Sequence, residues 1–215
     1  MTRSGRHDTS HLIEDQYEPG SRGCVLRNLL GIRNKRKMDQ VETEELKRAE
    51  DAALRTYGRD HRFTATDIRH MHRLWLGSVY PWAGNYRQVN ISKGKIIFAF
   101  AAQIPKLMMD LEEGPLRQHT PCTSSSRNKT LRSLAEVHTE ILLIHPFREG
   151  NGRIARLLAT LMALQADLPP LDFRMITGRK KQAYFAAVKA GFDRNYDPME
   201  EVFAEILRKT LKICS

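Results

Sequence analysis

The sequence predicts a mainly α bundle with one short β-hairpin, on three observations. Apolar residues recur at three- and four-residue spacing along most of the chain; only Val89 to Phe98 reads as paired extended segments; and a glycine-rich run separates two strongly periodic helical stretches. At 215 residues the chain can bury about 70 % of its unfolded surface, so one core needs no staples. The expected organisation is a polar, flexible N-terminal arm over 1–20 and a single domain over 21–215.

Taken in order, Met38, Val41, Leu46, Ala49, Ala52 and Ala53 predict a helix from Met38 to Arg55, with Gly58 as its stop. Thr64-Ala-Thr-Asp67 resembles a capping box and opens a second helix, whose apolar face carries Ile68, Met71, His72, Trp75 and Leu76. His72 on that face is expected in the core. Pro81 to Asn85 ends this helix, and Val89 to Ile91 and Ile96 to Phe98 flank Ser92-Lys93-Gly94-Lys95 as a hairpin. Helical spacing returns from Ala101 to Leu111, and the Pro-, Ser- and Thr-rich stretch from Gly114 to Asn128 is expected as a surface loop. Leu131, Leu134, Ala135, His138, Ile141 and Leu142 mark a helix that stops before Pro146, because a residue preceding proline avoids helical geometry. Ile154 to Met162 define the next buried face, and helices follow from Lys180 to Gly191 and from Pro198 to Lys212.

The charge balance is basic, 35 Lys and Arg against 25 Asp and Glu, which admits a nucleic-acid-binding module as a rival of another class. The cations are dispersed, however, and only Arg33 to Lys37 makes a dense cluster, so a nucleic-acid partner is not expected. No apolar run is long enough for a membrane span, and Met1 to Ser10 lacks a signal-peptide core, which places the protein in the cytoplasm. Cys24, Cys122 and Cys214 are too scattered for a disulfide framework or a paired-cysteine zinc site.

The chemistry concentrates in His145-Pro-Phe-Arg-Glu149-Gly150-Asn151-Gly152-Arg153-Ile-Ala-Arg156. Gly150, Asn151 and Gly152 stand where a helix begins, so backbone N–H groups and the helix dipole face an anion that the glycines allow to approach closely. Arg153 and Arg156, three apart, project from one side and suit a polyphosphate through planar, charge-assisted forks. Glu149 supplies the hard oxygen that magnesium uses when it arrives with a nucleotide, and His145 can take a proton near neutral pH.

This run resembles the signature of Fic-domain proteins, His-Pro-Phe-x-Asp/Glu-Gly-Asn-Gly-Arg-x-x-Arg, without departure, and the resemblance extends to Tyr80-Pro-Trp-Ala-Gly-Asn-Tyr-Arg87, the Val89 to Phe98 ribbon and Asn195 to Met199. It implies a Fic-type helical bundle with a flap hairpin and a protein adenylyltransferase that moves AMP from Mg-ATP to a Tyr, Thr or Ser hydroxyl of a target protein, releasing pyrophosphate. On this resemblance His145 is the base and Glu149 the Mg2+ ligand. Gly150, Asn151 and Gly152 cradle the α-phosphate region, Arg153 meets the β-phosphate, Arg156 meets the γ-phosphate, and Phe147 points into the core. Ile91, Ser92, Lys93, Gly94, Ile97 and Phe98 form a target-docking flap. Gly152 separates the chain from a kinase-like branch with lysine there. Transfer of another nucleotide or of phosphocholine stays open as an alternative.

Relatives are commonly restrained by a helix carrying Ser/Thr-x-x-x-Glu-Gly/Asn, whose glutamate pairs with the arginine matching Arg156. Only Ser10-His-Leu-Ile-Glu14 fits the first part here, and Asp15 follows where Gly or Asn belongs. The expected restraint is therefore a separate, small antitoxin-like protein.

Overall fold

The computed structural model describes residues 9–93 and 96–214. Helix α1, Lys35–Thr56, starts where the Asn34 side chain accepts the Lys37 N–H at 3.0 Å. Helix α2, Ala65–Leu76, opens with the reciprocal box read from the sequence: Thr64 Oγ1 accepts the Asp67 N–H, and the Asp67 carboxylate accepts the Thr64 N–H. Its buried face carries Ile68, Met71, His72, Trp75 and Leu76. The ribbon is short: β1, Ser92–Lys93, pairs antiparallel with β2, Ile96–Ile97, placing Ser92 opposite Ile97.

Helix α3, Ile104–Leu111, runs through a widened turn, Glu112–Leu116, into α4, Arg117–His119. This corrects the surface loop expected from Gly114. Pro115 removes a donor that a regular helix needs, the wide turn absorbs that loss, and fully buried Leu116 holds the segment on the core. The irregular stretch is confined to 120–126. Four helices complete the chain: α5, Arg127–Ile144; α6, Asn151–Gln165; α7, Gly178–Ala190; and α8, Asp197–Cys214.

Helix α5 is the axis of the bundle. It is buried on most of its circumference because α3, α6 and α8 pack around it, while α1 lies on α2 and α7 on α8. Trp75, Phe63, Phe147 and Phe203 are the largest apolar side chains that are fully buried, each at most 1 % exposed. The motif links the C-terminus of α5 to the N-terminus of α6, so two packed helices fix both of its ends.

The polar stretch before residue 20, expected as a flexible arm, is tied to the body around Glu14 and Asp15. Glu14 is buried and accepts the Gln88 N–H at 2.6 Å, and Arg148 donates to the Glu14 carbonyl at 3.0 Å. Polarity concealed this because the docking is by hydrogen bonds and not by an apolar face. Cys24 and Cys122 are free thiols, and no helix among the described residues is long and apolar enough to cross a membrane.

Candidate active site

His145 ends α5 in a left-handed conformation, φ 52° and ψ 59°, with its N–H still bonded to the Ile141 carbonyl. A residue with a Cβ adopts that region only where its surroundings impose it. Pro146, next in the chain, provides one reason, since it bars His145 from right-handed helical geometry. The imidazole Nδ1 lies 3.1 Å from the Leu142 carbonyl oxygen. A carbonyl only accepts, so Nδ1 carries the proton and Nε2 is the basic nitrogen. Phe98 stacks on the ring, with centroids 3.7 Å apart.

Arg87 fastens the ribbon to this turn. Its Nε donates to the His145 carbonyl at 2.8 Å, Nη1 to the Val89 carbonyl at 2.7 Å and Nη2 to the Ala99 carbonyl at 2.6 Å. One guanidinium, 1 % exposed, thus holds both roots of the flap and the backbone of the base. Burial lowers its pKa to about 10, which leaves it charged at neutral pH.

The motif loop is shaped from below. Phe147, fully buried as expected, stacks on His72 at 3.9 Å. His72 Nδ1 accepts the Gly84 N–H at 2.8 Å, so its protonated Nε2 donates to the Glu149 carbonyl at 3.1 Å. Burial holds its pKa down at about 4, so the ring is neutral at physiological pH. Asn151 turns its side chain inward: Oδ1 accepts the Phe147 N–H and Nδ2 donates to the Phe147 carbonyl, both at 2.8 Å. What Asn151 presents to an anion is therefore backbone, from the first turn of α6, and its amide side chain sets the loop's shape.

Gly150 caps α6 at φ 86°, and a Cβ there would stand 2.4 Å from the Trp75 ring, so both the turn and the close approach demand glycine. A Cβ on Gly152 would meet Arg156 Nη1 at 3.4 Å, so a larger side chain would crowd that arginine. Glu149 is half-exposed at the mouth, with Oε1 accepting the Gly150 N–H at 2.9 Å and lying 3.5 Å from Arg153 Nη2.

The two arginines have different surroundings. Arg153 lies over Trp75 and also meets Glu42 of α1. Arg156 is hydrogen-bonded to the Tyr184 hydroxyl. Tyr184 is fixed in turn by His138: Nδ1 of His138 donates to the Ala155 carbonyl at 3.1 Å, so Nε2 must accept the Tyr184 hydroxyl proton, at 2.7 Å. The phenol oxygen is thereby left to accept from Arg156. A cleft of about 320 Å³ between α1 and α6, lined by Leu46, Glu50, Leu54, Arg153, Arg156 and Leu157 among others, opens in front of both arginines.

The structure thus gathers His145, Glu149, Gly150, Asn151, Gly152, Arg153 and Arg156 on one loop and helix start. Of the flap residues, Ile97 is 70 % exposed and Ser92 is exposed, Ile91 is half-buried, Lys93 has its backbone in β1, and Phe98 faces inward onto His145. Gly94 lies outside the described residues. Sequence reasoning missed the roles of Arg87, His72, Glu42, Tyr184 and His138. His138 and His72 carry the one available signal, a polar ring on an otherwise apolar helix face.

A helix N-terminus armed with arginines, with a histidine of fixed tautomer at the far end of the same loop, defines a mainly helical phosphate-handling domain. A model of the Fic/DOC family matches residues 62–163. These residues are a Fic/DOC domain. It is 29 % identical over 189 residues to the "Probable protein adenylyltransferase Fic" of Escherichia coli (strain K12), covering 85 % of this chain and 88 % of that one. It is 31 % identical over 157 residues to the protein adenylyltransferase VbhT of Bartonella schoenbuchensis, covering 71 % of this chain but only 31 % of that longer protein. In structure it resembles the N-terminal Fic domain of a VirB-translocated Bep effector from Bartonella quintana with bound ADP, at TM-score 0.68 and 28 % identity, covering 84 % of this chain and 89 % of the other.

Proposed function

We propose that this chain is a protein adenylyltransferase that binds Mg-ATP at the start of α6 and moves AMP to a Tyr, Thr or Ser hydroxyl of another protein. The observation that carries the reading is the loop itself: a base with Nε2 as its lone-pair nitrogen and a glycine-lined cradle with two arginines, within twelve residues. In the transfer, the target oxygen forms a bond to the α-phosphorus, His145 Nε2 takes the hydroxyl proton, and the bond to the bridging oxygen breaks to release pyrophosphate. The backbone of Gly150, Asn151 and Gly152 faces the α-phosphate, and Arg153 and Arg156 receive charge on the leaving group.

Glu149 fits a magnesium ligand. It is a half-exposed carboxylate at the cradle mouth, and no group of three or more His, Cys, Asp or Glu among the described residues could cage a metal, so the site suits an ion that arrives with the polyphosphate. When bound, magnesium would neutralise phosphate charge.

The unit responsible is residues 21–215, with the described residues 9–20 tied to it through Glu14, and the proposed place of action is the cytoplasm. We place the target on the flap's exposed edge at Ser92 and Ile97. We assign restraint to a separate antitoxin-like chain, because the Glu14 carboxylate is engaged at the flap root and not beside Arg156. Incubating the purified protein and cell lysate with α-labelled and γ-labelled ATP tests the reading. Protein labelling by the α-label alone is expected. Labelling by γ-label would make it a kinase, and no labelling with either, alongside capture of nucleic acid, would favour the binding-module alternative.

A further inference from the structure

Arg153 is gripped from behind by groups outside the motif. Glu42, on α1, has a side chain only 3 % exposed and sets Oε2 3.0 Å from Arg153 Nη2. Its Oε1 accepts the Tyr80 hydroxyl at 2.7 Å, and its backbone carbonyl accepts the Trp75 indole N–H at 2.8 Å. The same indole lies under the guanidinium, whose central carbon is 4.3 Å from the ring centroid. Both carboxylate oxygens are therefore satisfied, which a buried carboxylate requires, and one tryptophan fixes both Glu42 and the face of Arg153.

A guanidinium has five N–H donors in one rigid plane, and its advantage at a phosphate is lost if that plane must first be found. Held by an ion pair on one nitrogen and a ring on one face, Arg153 keeps donors for a phosphate and has its plane set beforehand. Glu149, which meets the same Nη2 at 3.5 Å and is half-exposed, is the partner able to move away when nucleotide enters.

We propose that Glu42, seated by Tyr80 and Trp75, is the positioning residue for Arg153, so that α1 sets the enzyme's grip on the β-phosphate. The proposal rests on the nucleotide-transfer reading above. Glu42→Gln keeps the size and the acceptor for Tyr80 but removes the charge.

Calorimetric titration of the full chain with ATP and with AMP, each with magnesium, tests it in wild type, Glu42→Gln, Arg153→Ala and the double variant. Glu42→Gln is expected to weaken ATP binding about tenfold or more while AMP, which lacks a β-phosphate, shifts less than about twofold. In the Arg153→Ala background the Glu42→Gln effect should vanish. Tyr80→Phe, which leaves the charge and removes one hydrogen bond, is expected to give a smaller loss in the same ATP-specific pattern and serves if Glu42→Gln does not fold. Unchanged or tighter ATP binding, equal loss for AMP, or an equal loss without Arg153 would overturn the proposal. Wild type failing to bind ATP would overturn the nucleotide reading itself.

Discussion

His145 occupies a strained left-handed turn, its proton placed by a main-chain carbonyl and its ring covered by Phe98. Of these contacts only Phe98 is a buried apolar side chain, and it lies outside the main core cluster, so removal of the imidazole is expected to leave the fold standing. His145→Ala should keep the wild-type melting temperature and ATP affinity and lose transfer by roughly 100-fold to 10,000-fold, the usual range for a general base. A variant that kept more than about half of the activity would end this assignment. Asn151 teaches the opposite lesson, because a polar motif side chain that looks like a ligand is used up in shaping the loop. Behind Arg156, the His138 to Tyr184 relay makes a further prediction. Tyr184→Phe removes one charge-assisted hydrogen bond and should weaken ATP roughly threefold to tenfold while leaving ADP, without a γ-phosphate, nearly unchanged. Equal weakening of both nucleotides would place the effect on the fold and not on Arg156.

At the scale of elements, most helices were legible, because a packed helix must repeat its apolar residues near 3.6 and because Thr64 and Asp67 carry their cap in their own chemistry. The motif was legible for the same local reason. What escaped is what residues distant in sequence do to one another: Glu42 reads as one more acid on a solvated helix face, and nothing near Arg87 states that two strand roots will close on it. The turn around Pro115 was misread because composition marks the proline but not the burial of Leu116. Two element-level outcomes follow. Ile97→Asp, on the exposed side of the ribbon, should reduce transfer to protein targets several-fold with ATP binding intact, since a flap edge that pairs with an extended segment contributes to the target and not to the nucleotide; equal loss of both would make the ribbon a mere cover. Glu14→Gly, at the flap root, should bring no rise in the activity of the purified chain, and a several-fold rise would reveal a brake within it.

For the whole molecule, two buried neutral histidines contribute to the loss of stability in acid. Burial lowers the pKa of His72 to about 4 and that of His138 to about 3, below the ordinary 6.5 that each regains on unfolding. The stabilisation is therefore fully present above pH 6.5 and is lost as the pH falls toward those folded values. Unfolding at about pH 5 should take up about two protons at these sites, and His72→Gln should remove about one from the uptake measured by calorimetry in buffers of different ionisation enthalpy. An unchanged uptake would mean that His72 is already charged in the fold. A larger mechanical consequence belongs to Arg87. Because a single cation clasps both roots of the ribbon and the carbonyl of the base, and the Arg87 N–H also bonds the Pro146 carbonyl at 2.9 Å, a strand docked as proposed would load the imidazole through Arg87 and the Phe98 ring. Selectivity in such a machine is registered as turnover: poor targets should fall in kcat as well as in KM, and a ribbon grafted from a relative without its arginine would carry adhesion across but not rate.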